Sequence, residues 1–363
     1  MGTIKKRLEK IFRSADFDAL LLMNTGEADS NFRYVSNLTS GVFEDSILIA
    51  FPDKVHLLTS PLEYEDAMKG KESIMEVTQA TSQYYAERIP AILGKLLHGK
   101  RVGINASFLP YGNYLGLKRM MKAGSVVDAS SVLQDARAIK DADEIRLMRK
   151  AVSITKKAFS GIGAYMKEGI TETDLAGKFN MLLSEHGAGD LAFRTIAAFG
   201  ANAALPHHAS DWTRLKPNEF VLIDAGGKYM NYCADLTRTV IYKPDKRSER
   251  YKRMEEMIGV VKTAHAESAK LMVDGAKAAE VHAFAESYIN SFANGRYKGR
   301  FIHSLGHSIG IDVHDGLRIG NASKTVLRSG MVFSDEPGIY IPGFGGVRIE
   351  DDVLIGKGSS TIF

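Results

Sequence analysis

The chain has 363 residues, 45% hydrophobic and 25% charged, with 47 Lys and Arg against 43 Asp and Glu for a formal charge of +4. This is the make-up of an ordinary globular protein long enough for two domains, and a single cysteine excludes an intrachain disulfide. The cations are spread out rather than massed, so nucleic acid is not implied, and no uninterrupted apolar run is long enough to cross a bilayer.

Met1-Gly2-Thr3-Ile4-Lys5-Lys6-Arg7 opens a charged amphipathic helix rather than an apolar signal segment, and with the lone Cys233 this points to a cytoplasmic protein. Apolar runs then predict strands at 19–23, 46–51, 55–58, 102–104 and 126–127, with helices at 82–97 and 111–121. The alternation describes an α/β domain of mixed sheet order over residues 1–128, and no glycine-rich phosphate loop follows a strand. A linker is expected at 129–140 and a second, α+β domain at 141–363. Asp141 and Glu144 form a capping box there, and Ile145, Met148, Val152, Phe159, Ile162 and Met166 line one stripe of a long helix. Thr171 and Asp174 start a helix carrying Leu175, Phe179 and Leu182, and two more helices are expected at 246–270 and 278–292. Segments near 193–199 and 330–333 are strand-like.

The chemistry is concentrated in two hairpins. Asp224 closes Phe220-Val221-Leu222-Ile223, and Asp235 follows Tyr232-Cys233-Ala234, with Gly226-Gly227 and Asn231 as turn residues between them. A symmetric hairpin centred between Tyr229 and Met230 opposes 224 and 235 and projects both carboxylates from one face. Cys233, between these acids, is read as a small buried strand residue. Glu336 and Glu350 are equidistant from Gly343 in Pro342-Gly343-Phe344-Gly345-Gly346, which predicts a second acid pair. Opposed like charges repel, and burial raises the cost, so each pair needs a cation or a shared proton. Four carboxylates balance two divalent ions, and an oxygen-rich donor set without thiolate favours manganese, cobalt or magnesium over structural zinc. A water or hydroxide is expected to bridge the two ions.

Alternation places Arg348 on the face of Glu350, where it orients a carboxylate or clamps an anionic group, or else forms a structural ion pair with Glu350 or Asp352. Among His303, His307 and His314, in a glycine-bearing loop, His307 is the expected metal ligand, leaving His314 and His303 for substrate. In Pro206-His207-His208, neighbouring side chains of an extended segment diverge. One histidine is expected at the site, as general acid or oxyanion stabiliser, and the other on a surface loop.

These residues resemble the metallopeptidases of the pita-bread fold, specifically the proline peptidases: Xaa-Pro dipeptidase (prolidase) and Xaa-Pro aminopeptidase. The resemblance rests on Ile223-Asp224-Ala225-Gly226-Gly227, Tyr232-Cys233-Ala234-Asp235-Leu236-Thr237-Arg238-Thr239, Gly306-His307-Ser308-Ile309-Gly310, Val313-His314-Asp315, Glu336-Pro337-Gly338-Ile339-Tyr340 and Val347-Arg348-Ile349-Glu350-Asp351. It extends over the whole chain, because the N-terminal domain is similar to the creatinase-type domain of those enzymes. It implies that Asp224, Asp235, His307, Glu336 and Glu350 hold two metals, with Asp235 bridging, and that Glu336 shuttles the proton of the bridging water. It also implies that His207 and His314 meet the substrate carbonyl or the tetrahedral intermediate, that Arg348 holds the substrate end, and that the enzyme is a homodimer acting on small peptides with proline second. Arg318 occupies the place of an arginine that meets the proline carboxylate in archaeal-type prolidases, which favours the dipeptidase over the aminopeptidase. A methionine aminopeptidase would share the five ligands but not the large N-terminal domain. Creatinase-like hydrolases work without the metals, and a metal-free peptide-binding module, the reading from a different class, would purify without divalent ions.

Overall fold

The computed structural model describes residues 2–25, 28–80 and 82–363. Two units emerge, Met1–Arg137 and Ala138–Phe363. In the first, six strands lie in the order Met75–Gln79, Val55–Thr59, Ile47–Ala50, Ala19–Met23, Arg101–Ile104, Ser125–Asp128. The order is mixed: Ala19–Met23 runs antiparallel to Ile47–Ala50 and parallel to Arg101–Ile104. Leu21, Ile49 and Val102 pack with Leu93 and Leu97 of helix Ser82–Leu97 and with Leu117 and Met121 of helix Tyr111–Met121.

Four elements of this unit are not evident from hydrophobic periodicity. Helix Ser30–Ser36 is only 7 residues long and owes its start to Asp29, whose carboxylate accepts from the Asn31 N–H. Helix Pro61–Gly70 buries only Ala67. Strand Met75–Gln79 lies at the sheet edge and fully buries only Met75, so it lacks a strong apolar signal. The interval 129–140 is not irregular chain, because helix Ser130–Ala138 occupies it. The Asp128 carboxylate accepts from both N–H and O–H of Ser130, while Ala136 and Arg137 bond back to Tyr34 and Asn31.

The second unit begins with helix Ala142–Ile162, whose Asp141–Glu144 capping box is formed as the sequence predicts. This helix and Glu172–Glu185 place Ile154, Ala158, Leu175 and Phe179 against Ala197, Val221 and Ile223 of the sheet Leu236–Tyr242, Glu219–Ala225, Ile196–Phe199. Helices Glu249–Leu271 and Ala278–Gly295 pack Met257, Val261, Val281 and Ile289 against Phe333, Ile339, Val347 and Val353 of the second hairpin. Non-helical dihedrals begin at Phe292, so the regular part of the latter helix stops near the expected end.

Hairpin register positions the acids. The first hairpin is centred one residue later than expected: Lys228 pairs with Cys233, and Thr237, not Asp235, lies opposite Asp224. The reason lies in the turn, where Met230 and Asn231 both adopt positive φ, 45° and 72°, making the two-residue connection whose twist suits a hairpin. A displacement of two partners preserves face, so Asp224 and Asp235 become diagonal rather than opposed neighbours. The second hairpin keeps the expected centre: Gly338–Ile341 pairs with Gly345–Arg348, and Val332–Asp335 with Asp351–Ile355, all symmetric about Gly343. Glu336 and Glu350 face each other in the gap between those ladders. Bridges Thr237↔Glu350 and Ser308↔Phe333 bring the first hairpin and the histidine loop onto the second.

A buried ion pair anchors the histidine loop: Lys140 Nζ lies 3.0 Å from Asp315 Oδ2, with the two side chains 1% and 2% exposed. Gly310 leaves room for it, since a Cβ there would stand 2.6 Å from that oxygen. Removing one partner strands a charge without water, at a cost of about 3–5 kcal/mol, whereas an apolar pair of similar volume can restore stability. Lys140→Met is therefore expected to lower the urea midpoint of the Ala138–Phe363 unit strongly, and Lys140→Met with Asp315→Leu to recover most of the loss. An equally large deficit in the double variant would refute this account.

Candidate metal centre

Every residue singled out as a candidate ligand or catalytic group lines one cavity of about 390 Å³: Asp224, Asp235, His307, Glu336 and Glu350, joined by His207, His303, His314, Arg318 and Arg348. Asp224 is next to last in Glu219–Ala225. The other three acids sit where ladders are interrupted, and their backbone N–H groups bond across elements: Asp235 to Asp352 Oδ2, Glu336 to the Leu305 carbonyl, Glu350 to the Thr237 carbonyl. Gly226 permits the first interruption, because a Cβ on it would meet the Ala234 carbonyl oxygen at 1.7 Å.

His307 Nε2 stands 3.5 Å from both Asp235 Oδ2 and Glu336 Oε1. Asp235, His307 and Glu350 each offer a ligand atom within 4.8 Å of the others. Burial, and then the neighbouring carboxylates, raise the proton affinity of Asp235 well above the usual range. Glu336 is raised likewise by burial and Glu350, and Glu350 is pushed up to about 7 by burial and Asp224.

These residues fit divalent cations on three grounds. Asp224 Oδ1 and Asp235 Oδ1 are buried without a hydrogen-bond donor, although an ionised carboxylate needs one or a cation. The Nδ1 of His307 lies 3.3 Å from the Ser308 carbonyl, which can only accept. Nδ1 therefore carries a proton, and Nε2 is turned toward two carboxylates, the orientation of a metal-ligating imidazole. Finally, four acids and one imidazole make a hard, oxygen-rich donor set.

Arg348 points into the acids, as the strand alternation predicts. Its Nη2 donates to Asp224 Oδ2 at 2.6 Å, its Nη1 to Tyr340 Oη at 3.0 Å and its Nε to Thr237 Oγ1 at 3.0 Å. Glu350 is 3.9 Å away, so the principal ion pair is with Asp224 rather than with Glu350 or Asp352. Thr237 Oγ1 also donates to Glu350 Oε2 at 2.5 Å. Burial lowers the Arg348 pKa, but Tyr340, Asp224, Glu350 and Glu336 outweigh that, and the guanidinium stays charged.

Tyr340 was not singled out by the sequence reading, although the register could have found it: it pairs with Gly346, diagonal to Arg348 on the same face. His303 Nδ1 bonds the Ser304 carbonyl and its Nε2 meets Tyr340 Oη, both at 2.8 Å. Burial holds this imidazole neutral, with a pKa near 4. Nδ1–H must donate to the carbonyl, so Tyr340 O–H donates to Nε2 and accepts from Arg348. Ser334 is a second contributor with no signal in the sequence pattern, accepting from the His307 N–H and donating to Glu336 Oε1.

His207 is exposed at the cavity, whereas the expectation of a surface loop for His208 is overturned: it is 9% exposed, with Nε2 2.6 Å from Glu172 Oε2. Glu172, itself fully buried, also accepts from the Phe199 and Asp211 N–H groups and from Asn202, so it braces the loop that carries His207. This Glu172, His208 and Asp211 group could geometrically hold an ion, but its buried carboxylate is already satisfied. His314 places its ring centroid 4.3 Å from that of His307, and Arg318 lies directly opposite His307 in a short ladder. Cys233 is buried as expected, and desolvation pushes its thiol up to about 12.

Comparison with known proteins agrees with this geometry. Residues 5–139 match the Creatinase/Prolidase N-terminal domain, and residues 146–357 match Metallopeptidase family M24. The chain is 34% identical to an Xaa-Pro dipeptidase of Pyrococcus horikoshii over 99% of its own length and 97% of the relative's. It is 32% identical to the Pyrococcus furiosus Xaa-Pro dipeptidase over 97% and 95% of the two chains. The crystal structure of the Pyrococcus horikoshii prolidase superposes with a TM-score of 0.83 at 32% identity, covering 99% of this chain and 97% of the other. X-Pro aminopeptidase from Thermotoga maritima superposes with a TM-score of 0.88 at 26% identity, covering 97% of each chain. With its creatinase-type N-terminal domain, its pita-bread C-terminal domain and a carboxylate centre suited to divalent metal, this chain belongs to metallopeptidase family M24.

Proposed function

We propose that the protein is a dinuclear-metal exopeptidase that hydrolyses Xaa-Pro dipeptides. The observation that carries the dipeptide reading is Arg318, which is exposed, opposite His307, at the cavity that holds the five expected ligands, and without an ion pair among the described residues. A free guanidinium there suits the carboxylate that a dipeptide places one residue beyond the scissile bond. Longer peptides carry no charge at that point.

Asp224, Asp235, His307, Glu336 and Glu350 would hold the two ions, with manganese or cobalt favoured by the donor set. Bound there, the ions would supply an activated water at neutral pH and polarise the scissile carbonyl. Glu336, raised in proton affinity, accepts and returns the proton of the attacking water. His207 and His314, which line the same cavity, would donate to the developing oxyanion. Arg348, with three nitrogens engaged, orients Asp224 and offers its remaining N–H groups to the substrate end. His303 acts through Tyr340 on Arg348 and borders the substrate space.

Phe193, Ile196, Pro206 and Val313 form the apolar part of the lining. They suit a proline ring, whose tertiary amide has no N–H for a peptidase to grip. A cytoplasmic homodimer completes the proposal, supported by the free buried cysteine and by the resemblance to proline peptidases. The second reading is an Xaa-Pro aminopeptidase acting on longer peptides, favoured by the fit to the Thermotoga maritima structure.

Chelation is expected to abolish hydrolysis of Xaa-Pro dipeptides and to lower the Tm, and added manganese or cobalt to restore both; a protein indifferent to chelator is not this enzyme. Arg318→Ala should reduce kcat/KM for the dipeptide by about 30-fold, the range of one charge-assisted contact, while changing Xaa-Pro-Yaa tripeptide cleavage little. Equal losses on both substrates would remove the carboxylate-clamp role. Tyr340→Phe should lower kcat by about tenfold without a comparable rise in KM, since the hydroxyl orients Arg348 rather than binding substrate. A pure KM effect would place Tyr340 on the substrate instead.

A further inference from the structure

The strands that carry the catalytic acids present a second cavity on their other side. Asp224, Arg348 and Glu350 alternate with Ile223, Ile349 and Asp351, and the latter three line a cavity of about 640 Å³. Phe159, Ile162 and Met166, from the C-terminal part of helix Ala142–Ile162 and the turn after it, form one wall. Lys262, His265 and Ala266, three and four positions apart on helix Glu249–Leu271, form another. The volume lies in the range of sites that enclose small organic ligands, and the walls are apolar.

Its charged lining groups are Lys262, Arg238 and Asp351, an excess of cation. Asp351, the one acid among the described lining residues, is already paired with Arg238 at 2.6 Å. Lys262 makes no ion pair among the described residues. The side chain of His265 is 8% exposed, and its Nε2 is buried without a hydrogen-bond partner, the nearest carboxylate oxygen, Asp351 Oδ2, being 3.5 Å away.

We propose that this cavity is a second ligand site, separate from the metal centre, that takes a small aromatic or branched aliphatic carboxylate. The apolar body would lie among Phe159, Met166 and Ile349. The carboxylate would accept from Lys262 and Arg238, which both line the cavity. None of the five expected metal ligands lines this cavity, so the proposal does not depend on the peptidase reading.

The test uses the full chain labelled with methyl-13C methionine, with the Met166 signal identified from Met166→Leu. Titration with 4-phenylbutyrate is expected to shift that signal saturably, and 4-phenylbutylamine to leave it unmoved. Lys262→Gln should weaken the acid about tenfold, the worth of one charge-assisted hydrogen bond. Ala266→Trp, which fills the mouth, should abolish binding while leaving peptide hydrolysis intact. No saturable shift at millimolar acid, equal binding of acid and amine, or undiminished binding in Ala266→Trp would each overturn the proposal. It would also fail if Ala266→Trp dissociated an oligomer and no acid bound, which would assign the face to a second copy of the chain.

Discussion

Repulsion among four carboxylates held within one cavity is the constraint from which the rest of this active site follows. Each acid has one oxygen tied down by the protein or aimed at His307, and the others are left over. Asp224 gives Oδ2 to Arg348 and keeps Oδ1 bare, Asp235 has a bare Oδ1, and Glu350 gives Oε2 to Thr237. A protein relieving repulsion for its own sake would neutralise these groups with buried cations. Among the described residues the only Lys or Arg paired with them is Arg348, too little charge for four acids that line one cavity. The deficit is what makes the centre a cation site rather than a structural ion-pair network.

The fold sustains that unfavourable arrangement by fixing it with backbone rather than with side-chain flexibility. Glu336 and Glu350 are set opposite each other by two ladder segments sharing one centre, and those segments are packed under two helices through Phe333, Ile339, Val347 and Val353. The histidine loop is pressed onto the same hairpin so closely that a Cβ on Gly306 would lie 2.0 Å from the Ser334 carbonyl oxygen. Burial of apolar side chains, roughly 1.5–3 kcal/mol each, offsets the electrostatic cost of the acids. Arg348, Thr237 and Tyr340 then set the direction of individual carboxylates, and Glu172 sets the loop carrying His207.

The features legible in the sequence divide from the rest along physical lines. Long amphipathic helices, apolar strands and the symmetric second hairpin carry periodic signals, so Ala142–Ile162, Ala19–Met23 and the Glu336 to Glu350 pairing were accessible. Register in the first hairpin was not, because it depends on two non-glycine residues accepting positive φ at Met230 and Asn231, a choice invisible to hydrophobic alternation. The convergence survived that error because a shift of two partners leaves every side chain on its original face. Short capped helices and the weakly buried edge strand Met75–Gln79 carry little periodicity. His208 was misplaced for a different reason: its burial is decided by Glu172, 36 residues away, and no local pattern reports such a partner. Tyr340 and Ser334 act through neighbours across strands, so they become visible only once the register is known.

Three arginines near this centre show how strand position, rather than residue type, sets function. Arg348 projects into the acids and is bound at all three nitrogens, so its charge serves the geometry of Asp224. Arg238 projects the other way, donating to the Glu350 carbonyl and to Asp351, so it stiffens the strand from behind without adding charge to the cavity. Arg318 stands opposite His307 yet outside the buried network, and its charge is unanswered by any acid of the described residues. A guanidinium left unpaired beside four carboxylates would collapse onto them if it could reach. On the function proposed above, this unpaired guanidinium at the cavity's exposed side is kept for the substrate, whose carboxylate one residue past the scissile bond is the chemistry that suits it.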